Sequence, residues 1–336
     1  MSQTPLVSVI TSNYNCAAYL PNCVASVLAQ TFDSWEHIVI DCGSTDNSRQ
    51  VLESLKHPRL RVIHESFCGV SRARNIAIQQ ARGMFCANLD ADDMALPNRL
   101  FRQMELLQKS PEVVAVGGGI QAIIFRHRLW GRVVRRKNRT IQLPYRHDGI
   151  MLFLRSVLSP IAHSTLTFRK TIFLEIGGYR EEMEKAEDFD LVLRFSLRGR
   201  LEGVHEPVGI VHYGVSSSHS ARYRPHGRDA LYYAVLSLLF NMACDNGLNC
   251  AQTDVEKWLD GIGKQGPKAL QGRWAWKYFM KRCKCLPLAS RTILIKALIL
   301  RLPAVVACWN MPWWPAASSP ENLIKEHIIF RRKEDR

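Results

Sequence analysis

The stretch Gly83-Met84-Phe85-Cys86-Ala87-Asn88-Leu89-Asp90-Ala91-Asp92-Asp93 passes from apolar residues into three carboxylates within four positions. Negative charges that close repel one another unless a cation, or a substrate carrying one, holds them together. Oxygen-only ligands suit Mn²⁺ or Mg²⁺, which bridge a few carboxylates to substrate phosphates. An acidic turn capping the next helix is the other reading of the same residues, since Asp is a common N-cap. A second candidate is Glu187-Asp188, at the head of a segment with Phe189, Val192, Leu193 and Phe195 at helical spacing. A carboxylate in a first helical turn is favoured by the dipole and the free N–H groups there. It is therefore expected to be ionised at neutral pH, as a general base must be. A simple helix cap remains the alternative.

These residues need elements to carry them. Val7-Ser8-Val9-Ile10-Thr11, His37-Ile38-Val39-Ile40 and Leu60-Arg61-Val62-Ile63 are short, β-branched apolar runs and read as strands. Between them, Leu20, Val24, Val27 and Leu28, and then Val51, Leu52 and Leu55, recur at helical spacing. A helix opening at Val70 and running to Arg82-Gly83 leads into the strand that ends in the acids. A further helix presents Leu100, Met104 and Leu107, and Val113–Val116 is a strand closed by Gly117-Gly118-Gly119. Ser164–Phe168 reads as another strand, and Ile172, Phe173 and Ile176 as a short helix stopped by Gly177-Gly178.

Strand and helix alternate through the first half of the chain, which predicts an α/β fold: a mostly parallel sheet with helices on both faces. Crossovers in such sheets are right-handed, so the carboxyl ends of the strands share one rim. Tyr14, Asp41 and the acids at 90, 92 and 93 all fall at strand ends. Ligands of open α/β sheets bind at that rim.

Composition narrows the partners. The chain has 336 residues, 47% hydrophobic and 22% charged, with a net charge of +15. It is globular, and its charge calls for an anionic partner: nucleic acid, an anionic membrane or a phosphate-bearing substrate. No CxxC occurs among the ten cysteines, so zinc and thioredoxin-like chemistry have no support. With no signal peptide read at the N-terminus, free thiols in a reducing cytosol are expected. From Val113 to His147 there is no acid, while Arg126, Arg128, Arg132, Arg135, Arg136, Lys137, Arg139 and Arg146 form a basic run. It reads either as a solvated loop or hairpin, or as a flap that attracts an anionic acceptor or membrane.

Residues 1–224 are expected to form the α/β domain and 225–336 a helical, basic C-terminal extension. Between Asp260 and Glu321 the extension has ten Lys/Arg, no acid and five Trp. That suits either a segment lying in an anionic membrane surface or a helical subdomain packed on the first. Its apolar run Ile293–Leu302 is broken by Lys296 and Arg301, is followed by Pro303, and is too short to span a bilayer.

Six segments in register resemble the family 2 glycosyltransferases, which have the GT-A fold. They are Val7–Asn15, Gln30-Thr31-Phe32, Asp41–Ser48, Ala73-Arg74-Asn75, Leu89–Asp93 and Glu187-Asp188, spread over residues 5 to about 215. The resemblance implies inverting transfer of a sugar from a nucleotide-sugar donor to a saccharide or lipid-linked acceptor, in cell-surface polysaccharide or glycolipid synthesis. It implies that Ser12 and Tyr14 line the base pocket and that Asp41 binds the nucleoside. Asp90 and Asp92 are similar to the family's DxD motif, with Asp92 a metal ligand and Asp90 close to ribose and metal; Asp93 lies beside the donor sugar. Asp188 resembles the catalytic base and Glu187 its supporting neighbour, with Arg72 and Arg74 near the nucleotide. Mn²⁺ or Mg²⁺ is the implied cofactor. A cytoplasmic place, peripheral on the inner face of the membrane, is the implied setting, with no nucleic acid bound.

Two positions depart from the pattern. Cys42 stands where many relatives have a second Asp, which leaves the choice of nucleotide open. Near the end of the domain, Tyr213-Gly214-Val215-Ser216 lacks the common Arg-x-His, and His212 and His219 read either as surface residues or as groups reaching the diphosphate. Other classes consistent with the charge and fold are a basic nucleic-acid-binding protein and a nucleotidyltransferase. The first has no recognised motif here. The second lacks its glycine- and lysine-rich loop, since Ser12-Asn13-Tyr14-Asn15 follows strand one.

Overall fold

The computed structural model describes residues 4–127, 133–155, 160–181 and 187–213. The expected extension, 225–336, lies outside the described residues, as do Arg128 and Arg132 of the basic run and His219.

The alternation read from the sequence is present. Strand β1 (Val7–Asn13) is followed by α1 (Leu20–Leu28), β2 (Trp35–Cys42), α2 (Ser48–Ser54), β3 (Leu60–Glu65), α3 (Val70–Gln79) and β4 (Phe85–Asn88). A short β5 (Met94–Ala95) precedes α4 (Arg99–Lys109). Then come β6 (Val113–His127), β7 (Val133–Ile141), α5 (His147–Arg155), a 3₁₀ turn (His163–Thr165) and β8 (Thr167–Arg169). Helices α6 (Lys170–Glu175) and α7 (Glu187–Ser196) lead to β9 (Arg200–Tyr213).

The strands form one curled sheet in the order β3-β2-β1-β4-β8-β6-β9-β5, with β7 paired to β6. Strands β3, β2, β1 and β4 run parallel to one another, and β6 runs parallel to β9. Strand β8 enters antiparallel between β4 and β6. Adjacent residues of β1 face opposite layers, the period-two rule of a strand. Ile10 packs with Ala73 and Ala77 of α3 and Phe189 of α7, while Val9 packs with Val27 of α1 and Met104 of α4. The sheet therefore has helices on both faces, and the ends of β1, β2 and β4 share a rim.

Two sequence readings are corrected, and one strand is added. The strand from Val113 does not close at Gly117-Gly118-Gly119 but runs on to His127. Those glycines serve packing: a side chain at 117 would meet Ile161 at 2.7 Å, and one at 118 would meet Val208 at 2.5 Å. The stretch from Ser164 to Phe168 is half 3₁₀ turn and half strand. Strand β9 carries Gly203, Pro207 and Gly209, turn signals that hide a strand; its ladder with β6 is irregular beside them. The basic run takes the hairpin form, with β6 and β7 paired from Ile120↔Ile141 to His127↔Val133. Among the described residues no helix is long and apolar enough to cross a membrane.

Candidate active site

The rim is built from five segments, and polar side chains tie them together. At the end of β1, Asn13 lies in register with Asp41 of β2. Its Nδ2 donates to Asp41 Oδ1 at 2.7 Å, and the Ser44 hydroxyl donates to the same oxygen. Gly43, at φ +69°, makes the turn that returns Ser44 under Asp41. Asn15 Oδ1 accepts from the Thr45 and Asp46 amides, so the loop after β1 is fastened to the loop after β2. Tyr14 stands half-buried above this knot, its ring 5.1 Å from that of Phe67 and tilted by 60°. Phe67 is 68% exposed. The two rings and the buried carboxylate together leave an aromatic face open to solvent, a surface on which a planar group can stack. Ser12 is half-buried one position before Asn13.

Arg74, buried on α3, joins the two acidic motifs. Its Nη2 reaches Asp90 Oδ1 at 2.8 Å and its Nη1 reaches Glu187 Oε1 at 3.0 Å. The guanidinium also lies over the Tyr179 ring at 5.5 Å. Burial works against its charge, but Asp90, Tyr179 and Glu187 overcome that, and the Arg74 pKa is raised. Burial likewise opposes the charge on Asp90, yet Arg74 and His163 hold its carboxyl below the ordinary range. Arg72, two residues earlier on α3, is exposed.

The other acids at the end of β4 behave differently. Burial, then the Asp90 charge, pushes the Asp92 carboxyl up to about 7. Burial, then Asp92 and Asp90, raises Asp93 well above the usual carboxylate range. Asp93 accepts from the Ser164 hydroxyl and, at 2.9 Å, from the His212 backbone N–H. Beneath the cluster Arg99 is 1% exposed and donates to the Asn88 carbonyl at 2.7 Å. Burial lowers the Arg99 pKa to about 10, while Asp93 and Asp90 hold it up.

At the head of α7, the Asp188 carboxyl is raised above its ordinary value by burial and then by Glu187. His163, the Phe189 N–H and Arg74 pull the other way. The helix dipole thus does not dominate, because Asp188 shares its turn with a second acid in a poorly solvated setting. A raised pKa makes the ionised form a stronger base.

Several residues of the rim were not legible beforehand. His163 Nε2 lies 3.0 Å from Asn88 Nδ2 and 2.8 Å from the Tyr179 hydroxyl. The other ring nitrogen, Nδ1, lies 3.6 Å from Asp90 Oδ1. His212 is not a surface residue. Its Nδ1 contacts the Asp92 carbonyl, its ring packs 5.9 Å from Tyr19, and its side chain is 13% exposed. It sits at the end of β9, the unread strand. Asn13 and Ser44 were readable only as turn residues, and Ser164 and Tyr179 gave no signal, since partners tens of residues away define them.

The residues fit a divalent cation in one respect. Asp92 has no ion pair among the described residues, and burial and the Asp90 charge hold its carboxyl up. Among the described residues no three His, Cys, Asp or Glu gather closely enough to hold an ion alone. One or two carboxylates completed by substrate phosphates is the usual provision for Mg²⁺.

A curled, mostly parallel sheet with an acidic rim at its strand ends is the GT-A architecture. The structure of Staphylococcus aureus TarS 1-349 in complex with UDP-GlcNAc superposes with a TM-score of 0.58, at 17% identity, over 90% of this chain and 88% of that one. The model of the family described as Glycosyl transferase family 2 matches residues 8–173. EpsE of Bacillus subtilis strain 168 is 30% identical over 205 residues, which cover 59% of this chain and 69% of EpsE. The chain belongs to glycosyl transferase family 2. It is also 27% identical over 210 residues to the chondroitin synthase of Escherichia coli. That match covers 61% of the chain but 29% of the synthase, so the chain spans less than a third of that relative.

Proposed function

We propose that this protein is an inverting glycosyltransferase that moves a sugar from a nucleoside-diphosphate sugar to a hydroxyl of a saccharide or lipid-linked acceptor. The supporting observation is the single guanidinium of Arg74, which pairs with Asp90 and Glu187 across 113 residues of chain. It links the acids of the donor end to the turn that bears Asp188.

In this reading Ser12, Tyr14 and Asp41 hold the nucleoside, with the aromatic ring against the base and the carboxylate as acceptor. Arg72, exposed at the rim, and Arg74 supply positive charge toward the diphosphate. Asp92, with Asp90, would hold Mn²⁺ or Mg²⁺, which as a Lewis acid offsets charge on the departing diphosphate. Asp93, fixed by Ser164 and the His212 N–H, lies beside the donor sugar.

Ionised Asp188 accepts the proton of the acceptor hydroxyl as its oxygen attacks the anomeric carbon. Attack comes from the side opposite the leaving diphosphate, so configuration inverts in a single displacement. Glu187, held by Arg74, fixes the turn and keeps Asp188 basic. General-base assistance of this kind contributes roughly 10²–10⁴-fold.

Relatives named as chondroitin and hyaluronan synthases support a polysaccharide product. The basic hairpin and the basic, Trp-rich residues beyond 224 support an anionic acceptor or a peripheral place on the inner face of an anionic membrane. The test is a panel of nucleotide sugars with Mn²⁺ or Mg²⁺ and saccharide acceptors, scored by released nucleoside diphosphate and by the product's anomeric configuration. Release with an inverted product is the expected result. No release across the panel, or retained configuration, contradicts the reading.

A further inference from the structure

Cys42 is the last residue of β2, directly after Asp41, and is buried. Cys68 is half-buried in the loop between β3 and α3, next to Phe67. Their sulfurs are 3.0 Å apart, and both are free thiols. That is about 1 Å more than an S–S bond of ~2.05 Å. A thiolate held in contact with a neighbouring cysteine attacks that sulfur at a high effective concentration once the neighbour has been taken into a mixed disulfide.

We propose that Cys42 and Cys68 form a redox-modified dithiol, converted to a disulfide by small-molecule disulfides such as oxidised glutathione, and that this loosens the donor pocket. The pocket part rests on the reading of Tyr14 and Asp41 as nucleoside-binding residues.

Cys68 has the solvent access and reacts first. Its thiolate attacks one sulfur of the oxidised glutathione, giving a protein–glutathione mixed disulfide and one glutathione thiolate, which takes up the proton lost by Cys68. Cys42, deprotonated in turn, then attacks the Cys68 sulfur. The protein S–S bond forms, the mixed disulfide breaks, and a second glutathione leaves with the proton of Cys42. Two protein thiols are oxidised, and one small disulfide is reduced to two thiols. Burial, followed by Cys68, Asp41 and Glu65, raises the Cys42 pKa, so the second step is the slower one. A disulfide of this kind in a reducing compartment is transient and regulatory.

Closing the bond draws Cys68 toward β2. The segment has no slack there: a Cβ at Gly43 would meet the Phe67 backbone nitrogen at 2.8 Å. Phe67 must therefore move, and with it the tilted contact to Tyr14 above Asp41.

The test uses the full chain equilibrated in reduced or oxidised glutathione, mapped by non-reducing peptide mass spectrometry. A peptide pair joined through Cys42 and Cys68, 2 Da lighter than the two thiols, is expected, and Cys68→Ser abolishes it. The cross-link closes a loop of about 25 residues and should raise Tm by on the order of 5 °C. UDP and GDP affinities, measured by calorimetry, should fall roughly tenfold in the oxidised form. A lone glutathione adduct, or cross-links only between other cysteines, overturns the site. A Cys42–Cys68 bond with unchanged nucleotide affinity overturns its effect on the pocket. Absence of nucleotide binding even in the reduced form counts against the donor reading, while the mapped bond still establishes the modification site.

Discussion

Arg74 and Glu187 are 113 residues apart in sequence and meet at 3.0 Å, both nearly removed from solvent. The same guanidinium holds Asp90 at 2.8 Å. Removing the arginine leaves two acids facing each other at the rim. Breaking a buried pair costs about 3–5 kcal/mol, and the partial exposure of Asp90 places Arg74→Ala at the lower end. Urea unfolding at neutral pH checks this. Arg74→Lys, a point charge without the two-pronged geometry, should recover only part of the loss.

The Asp41 knot predicts a binding defect. Asn13→Ala removes a 2.7 Å hydrogen bond to a buried carboxylate, a bond worth about 1.5–3 kcal/mol. Of the two donors to Asp41 Oδ1, only the Ser44 hydroxyl then remains to orient the carboxylate. A nucleoside diphosphate should bind at least tenfold more weakly, as read by calorimetry, with Tm falling by a few degrees.

Asp92 predicts a stability profile. Its carboxyl is raised to about 7, so the folded protein holds this proton more tightly than the unfolded chain. The associated stability is fully present below the unfolded value near 4 and is lost as pH rises through 7. Asp92→Asn should flatten that fall in Tm between pH 5 and 8. It should also remove any stabilisation by added Mn²⁺, which thermal scans with and without the ion detect.

Asp188 predicts an acid limb in the rate. With its pKa raised, activity should decline on acidification at a pH above the ordinary carboxylate range. Glu187 is one cause of that rise, so Glu187→Gln should move the limb to lower pH. A pH–kcat profile of both proteins measures the shift.

The parallel half of the sheet was legible because β1 to β3 are β-branched runs and β4 a short apolar one, with helical spacing between them. The acids were legible because Asp90, Asp92 and Asp93 end such a run abruptly. What the sequence concealed depends on long-range approach. Gly117 and Gly118 resemble a strand terminator, yet they exist to admit Ile161 and Val208. Pro207 and the glycines of β9 masked the strand that delivers His212 to Asp93. Tyr179 and His163 acquire meaning only once α3 and the 3₁₀ turn bring them to Arg74 and Asp90. Local pattern specifies elements, but the polar partners of a buried charge are chosen by packing.

The account depends most on Asp188 serving the site that Asp41, Asp90 and Asp92 define. The direct measurement is nucleoside diphosphate release by Asp188→Asn at saturating donor and acceptor, with donor affinity determined in parallel. A rate lowered by roughly 10²–10⁴-fold with unchanged affinity is the predicted result. An undiminished rate would contradict it.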